Sequence, residues 1–251
     1  MKIGIISDVH SNIDALKEVF NRFNVEKVDK VICLGDVIGI GPYPEKCIQF
    51  LMNNKNMLVS FVKGNHENYL LKGIPKKNHN EENAKPMTEE QIATHAWNHS
   101  RLNNKQIEFI RDLKDKDFLE IEGKKIVIEH YPMDENNKFK RFIKNPNEEE
   151  IKDLFEEKQA DVYLFGHTHQ KYYLEDNCKY YINPGSLGCP INAKGASAGI
   201  LEIYDDKNIY RQLEIEYNIE KTINDIKQLN YPLCDFMMNK FYKNGKICKK
   251  S

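Results

Sequence analysis

The stretch "KIGIISDVHSNIDALKEVFNRF" (residues 2–23) decides how the rest of the chain is read. Residues 2–7 form a short apolar run of the kind a buried strand requires. It ends at Asp8 and His10. Ile13, Leu16, Val19, Phe20 and Phe23 then recur at helical spacing, with Ser11 or Asn12 available as a cap. A strand, two chemistry-bearing polar residues and a helix make half of a βαβ unit.

The same order returns. "KVICLG" (30–35) reads as a strand, "PEKCIQFLMN" (44–53) as a helix and "MLVSFVKG" (57–64) as a third strand, which implies a sheet that is at least partly parallel. Residues 73–87 lose the pattern. They lead into a predicted helical pair, 88–101, opened by a Thr88/Gln91 capping box, and 103–114. We expect residues 73–114 to be a small helical insertion that covers a site as a lid. Strands then dominate: a hairpin over 117–130 turning near Gly123, then 161–166, 179–186, 197–205 and 209–218. Helices are expected at 148–159 and 219–230, and a frayed basic tail over 240–251. The whole chain, 1–251, reads as one α/β domain.

Bulk properties exclude some functions. Lys+Arg number 37 against Asp+Glu 38, so no field of one sign draws the protein to nucleic acid or anionic lipid. The apolar run at the start is too short for a signal peptide or a membrane span, and a cytoplasmic protein is expected. The six cysteines include no CxxC pair and read as free, packed thiols in a reducing compartment.

The polar residues at strand ends carry the chemistry. "SDVHSN" places Asp8 and His10 beyond the first strand, "LGDVIG" Asp36 beyond the second, and "KGNHEN" Asn65 and His66 beyond the third. "VIEHYP" ends a strand at His130, and "LFGHTH" ends another at His167 and His169. Ligands of open α/β sheets bind beyond the carboxyl ends of the strands. Taken singly, each motif has a plainer reading as a cap, a turn or a buried histidine. Together they form a mixed carboxylate, carbonyl and imidazole set that suits Mn, Fe, Zn, Co or Ni rather than Mg or Ca. The donors are too many for one ion and suit a pair about 3.5–4 Å apart, bridged by a carboxylate.

The order D-x-H, G-D, G-N-H-E, H, G-H-T-H resembles that of the calcineurin-like metallophosphoesterase superfamily, from Asp8 to about Ser197 and including "NPGSLG" (183–188). The resemblance implies two mixed β-sheets packed face to face and flanked by helices, a four-layer α-β-β-α sandwich. It implies one divalent or trivalent transition metal on Asp8, His10 and His169 and a second on Asn65, His130 and His167, with Asp36 bridging and His66 contacting the phosphoryl group. A metal-bridging hydroxide would then attack a phosphoester or phosphoanhydride. One departure is Tyr131, where glycine often follows the histidine; it should narrow the space beside His130.

The segment "GDVIGIGPYPEKC" (35–47) is similar to that of a bacterial and archaeal subgroup that includes proteins resembling asymmetrical diadenosine tetraphosphatases. Tyr43 within it could stack on a base or simply cover apolar surface. The expected partner is therefore a small phosphorylated substrate, most readily a nucleotide, with neither a membrane nor stable nucleic-acid binding implied. The alternatives are a serine/threonine protein phosphatase, which would draw on Arg101 or Arg141, and a non-catalytic metal-binding scaffold. The latter predicts missing ligands, and none is missing. His79, His95 and His99 receive no role, and Glu67 is left as an orienting or merely solvated residue.

Overall fold

The computed structural model describes residues 1–76, 86–136, 138–155, 159–191, 195–204 and 207–242. The chain opens with β1 (Lys2–Ile6), α1 (Ile13–Val25), β2 (Lys30–Cys33), α2 (Pro44–Asn53), β3 (Leu58–Phe61) and α3 (Asn65–Lys72). There follow α4 (Glu89–Ser100), α5 (Asn104–Asp112), the hairpin of β4 (Lys116–Ile121) and β5 (Lys124–Glu129), and α6 (Glu148–Leu154). The chain then runs through β6 (Val162–Leu164), β7 (Lys171–Asp176), β8 (Lys179–Pro184), β9 (Ala196–Ile203) and β10 (Asn208–Ile215), and the described residues end with α7 (Ile219–Gln228) and α8 (Cys234–Lys240). Three of these were not read from the sequence: α3, which starts on the candidate ligand Asn65, β7 and α8.

The strands make two five-stranded sheets, ordered β10-β9-β1-β2-β3 and β4-β5-β6-β8-β7. Both are mixed. In the first, β1 pairs in parallel with β2, and β2 with β3, while β9 and β10 run antiparallel. In the second, β5, β6 and β8 are parallel and the edge strands antiparallel. Strand alternation sends Ile3, Ile5, Ile32 and Leu34 of one sheet against Ile126, Ile128, Val162 and Leu164 of the other, in a dry interior.

The opposite faces take the helices. Ile6, Val31 and Cys33 pack under Leu16, Val19 and Phe20 of α1 and Ile48 and Leu51 of α2. On the far side Val127, Tyr163 and Tyr181 meet Ile151 and Leu154 of α6. The result is the expected four-layer α-β-β-α sandwich.

Within 73–114, residues 77–85 lie outside the described residues, and His79 with them. Ile110 of α5 is fully buried in the core beneath α2. The tail reading needs a shift: Lys240 closes α8 and Tyr242 is buried, while 243–251 lie outside the described residues. The expectation of free thiols is corrected at Cys234, which is disulfide-bonded. Cys33, Cys47, Cys178 and Cys189 are free. Among the described residues no helix is long and apolar enough to cross a membrane.

Candidate metal centre

The carboxyl ends of β1, β2 and β3 in one sheet and of β5 and β6 in the other point to the same edge of the sandwich. Asp8, Asp36, Asn65, His130 and His167 follow them directly. Three groups of donor atoms form there: Asp8 with His10 and His169, Asp36 with His130 and His167, and His10 with Asp36 and His66.

In the first group His10 Nε2 lies 2.8 Å from His169 Nε2, and His169 Nε2 lies 3.4 Å from Asp8 Oδ1. In the second, His130 Nε2 lies 3.1 Å from Asp36 Oδ2, and His167 Nδ1 lies 2.9 Å from Asn65 Oδ1 and 3.3 Å from His130 Nε2. Asp36 also reaches toward His66 Nε2, at 3.9 Å, so it stands where the groups meet. All eight sequence-derived residues are therefore brought together.

The backbone is bent to do this. Asp8, His10, Asp36, His167 and His169 have φ of 53°, 45°, 51°, 67° and 58°. Left-handed non-glycine residues cost energy and persist where the surroundings over-determine them, commonly at functional sites. The surroundings here are explicit. "NPGSLG" braces the first and last ligand loops: Ser186 Oγ donates to the Asp8 carbonyl at 2.8 Å, and Asn183 Nδ2 to the Gly166 carbonyl at 2.8 Å. At Gly64, any Cβ would overlap the Asp36 carboxylate.

Second contacts present the ligand nitrogens. The Leu34 carbonyl accepts from His130 Nδ1 at 2.7 Å, which leaves Nε2 aimed inward; the Ile38 carbonyl sits 3.3 Å from His10 Nδ1. Charge follows the same logic. Burial opposes ionisation of Asp8 and Asp36, yet the surrounding imidazoles outweigh it and hold both carboxyls well below the usual range. Burial lowers His10 to about 4, whereas Asp36 overrides burial and raises His130 to about 9.

Whether this set fits metal ions is testable on one atom. Asp8 Oδ1 is buried and has no hydrogen-bond partner. An ionised oxygen without a donor is costly in a protein interior, and a cation relieves that cost. The donors fit.

Sequence patterning of the calcineurin-like phosphoesterase superfamily domain matches residues 1–206. The chain belongs to that family. It is a metal-dependent phosphoesterase. It is 28% identical over 246 residues to the uncharacterized protein MJ0912 of Methanocaldococcus jannaschii, covering 92% of this chain and 93% of that one. The phosphodiesterase MJ0936 of the same organism is 23% identical, over 86% of this chain and 100% of its own. A metallophosphoesterase from Sphaerobacter thermophilus shares the fold, with TM-score 0.71, 21% identity, and 96% and 98% of the two chains covered.

Other placements differ from expectation. Tyr43 caps α2 and packs, partly buried, against the core, with Lys46 Nζ 3.5 Å from the ring centroid, and it is not among the residues that line the cavity over the donor cluster. Arg101 pairs with Glu45 at 3.2 Å and lines a separate groove. Tyr131 is buried, and its hydroxyl donates to the Arg141 carbonyl at 3.1 Å, so it fills the space beside His167.

Three residues were missed. Glu67 is fully buried and accepts from the backbone N–H groups of Asp36, Val37, Ile38 and Gly64 at 2.8–3.1 Å. Burial first, then Asp36, pushes its carboxyl up to about 7 against the pull of those donors. Asn98 accepts from Ser11 Oγ and Gly39 N and donates to the Thr94 carbonyl and the Tyr231 hydroxyl. His95 lies beside His66, ring centroids 5.1 Å apart, and lines the same cavity. Only the position of Glu67, next to two site residues, gave any signal in the sequence.

Proposed function

We propose that the protein hydrolyses a phosphodiester or phosphoanhydride, with a nucleotide or dinucleoside polyphosphate as the first choice of substrate, using two transition-metal ions drawn from Mn, Fe, Zn, Co or Ni. Asp8, His10 and His169 would hold one ion, Asn65, His130 and His167 the other, and Asp36 both. The observation that carries this reading is a chain of donor groups, Asp8/His10/His169 joined through His10 to His10/Asp36/His66 and through Asp36 to Asp36/His130/His167, beside the unpartnered, buried Asp8 Oδ1. Such a pair supplies Lewis acidity that brings the pKa of water from 15.7 toward neutrality and offsets phosphoryl charge.

The remaining chemistry belongs to the chain. His66 faces the cavity next to Asp36, and its backbone N–H donates to Asp36 Oδ1 at 2.9 Å, which fixes the start of α3 against the bridging carboxylate. Burial holds its imidazole neutral, well below the ordinary range. A neutral ring still offers one N–H to the leaving oxygen, and positioned donation of this kind is worth about 10²–10⁴ in rate. Gly39 lets the loop lie flat against that ring, since a Cβ there would overlap His66.

A cavity of about 430 Å³ opens beside the cluster, with Phe142, Leu233, Phe236 and Phe241 among its lining residues. An organic group next to the reacting phosphate suits such walls better than phosphate alone. The protein-phosphatase alternative loses the support of Arg101, which is occupied by Glu45. The test is product analysis after diadenosine tetraphosphate is given to the manganese-loaded protein. ATP plus AMP supports the anhydride reading. No cleavage of it or of bis(p-nitrophenyl) phosphate would refute the proposal.

A further inference from the structure

One side of the cavity over the metal cluster is built by α8 and is almost wholly apolar. Leu233, Phe236 and Phe241 line it, with Ile40 and Ile191 beyond them. The helix buries Cys234, Met237 and Met238 on its other face, so Phe236 is left 47% exposed toward the opening. Its ring meets Phe241 edge to face at 5.9 Å, and Phe241 in turn tilts against the ligand ring of His169 at 6.3 Å. An aromatic surface thus runs outward from the metal donors. Lys240 sits on the same helix and also lines the cavity.

Another part of the lining is different. α4 contributes Gln91, Thr94 and His95, and His95 Nδ1 is buried with no hydrogen-bond partner. Apolar aromatic faces in one part of the lining and polar groups in another suit a flat ring with a polar edge. An aliphatic chain would use the first wall and leave the second unpaired.

We propose that α8, through Phe236 and Phe241, is the specificity element of the site and stacks the nucleobase of a nucleotidyl substrate, with Lys240 placed for a further phosphate. The inference rests on the phosphohydrolase reading above and replaces Tyr43 in the role that the loop at 35–47 suggested. Phe236 is the residue to change because it is exposed and its ring packs on Phe241.

The experiment compares two esters with the same leaving group, thymidine 5′-(p-nitrophenyl phosphate) and methyl p-nitrophenyl phosphate, so that the bond broken is common to both. The native protein should favour the thymidine ester in kcat/KM. Phe236→Ala should reduce that preference about tenfold, the scale of one base–aromatic stack, and Phe236→Trp should keep it. Lys240→Ala should weaken inhibition by ADP more than inhibition by AMP. A preference unchanged in Phe236→Ala overturns the proposal. So does Phe236→Leu behaving like Phe236→Trp, since the wall would then serve an aliphatic group. Failure of the native protein to cleave either ester would instead strike the underlying reading, before any variant is made.

Discussion

At Glu67 four backbone N–H groups from two separate loops converge on one carboxylate that no water reaches. Its work is to hold the turn that carries Asp36 at φ 51°. Glu67→Ala should cost about 3 kcal/mol, because it strands buried donors, and should lower metal occupancy through the loosened Asp36. Chemical denaturation and metal analysis check the two halves separately. Glu67→Gln keeps one acceptor oxygen and should fall between. Asp36→Asn should leave the fold intact and reduce hydrolysis more than about a hundredfold, beyond the loss typical of an outer-shell contact.

The contrast between these two residues explains what a sequence can disclose. Asp8, Asp36 and the five histidines are legible because their type and their place at a strand end both point to one use. Most of the backbone groups that Glu67 satisfies lie 29–31 positions away and Asn98 reaches Gly39 59 positions away, and nothing local announces such partners. Tyr43 shows the same limit from the other side: a loop can border a site while its bulkiest side chain packs against the core.

Among the elements, α4 is more than a cover. Asn98 is fully buried and ties this helix to Ser11, to Gly39 and, through the Tyr231 hydroxyl, to the stretch between α7 and α8. That hydroxyl accepts from Gly41 N at 2.7 Å and donates to the Gly39 carbonyl at 3.1 Å. The loop against which His66 rests is therefore gripped from α4 and from the stretch between α7 and α8. Asn98→Ala should cost about 2–3 kcal/mol and should lower kcat more than it raises KM, since the loop behind His66 loosens while the cavity walls stay. Stability curves and steady-state kinetics on the same preparation separate the two effects.

Elements with strong periodicity, such as α1 and α2, were readable to within a few residues. α3 was hidden because its first turn is spent on Asn65 and His66, which read as a loop. α8 offers only "CDFMMNK" (234–240), too short for a period to show.

At the scale of the whole molecule the buried imidazoles make stability depend on pH in the metal-free protein. His10 and His95, each lowered to about 4 by burial, stay neutral in the fold while the unfolded chain takes up protons near 6.5. The unfolded state then binds more protons, so stability falls as pH drops from 6.5 toward 4. Glu67, raised to about 7, offsets part of this loss below 6.5 but not the contribution of two histidines. His130, raised to about 9 chiefly by Asp36 against burial, acts the other way: its contribution is complete below 6.5 and is lost as pH rises through 9. Thermal melts of chelated protein should peak near pH 6.5 and decline on both sides. A melting temperature that climbs steadily to pH 9 would contradict this balance.

The fold's central consequence is that two sheets deliver their strand ends to one edge, where seven donors suffice for two ions sharing Asp36. Anomalous diffraction from crystals of the manganese-loaded protein tests that most directly. The account requires two peaks, one among Asp8, His10 and His169 and one among Asn65, His130 and His167, with Asp36 between them. A single peak, or peaks elsewhere on the molecule, would contradict it.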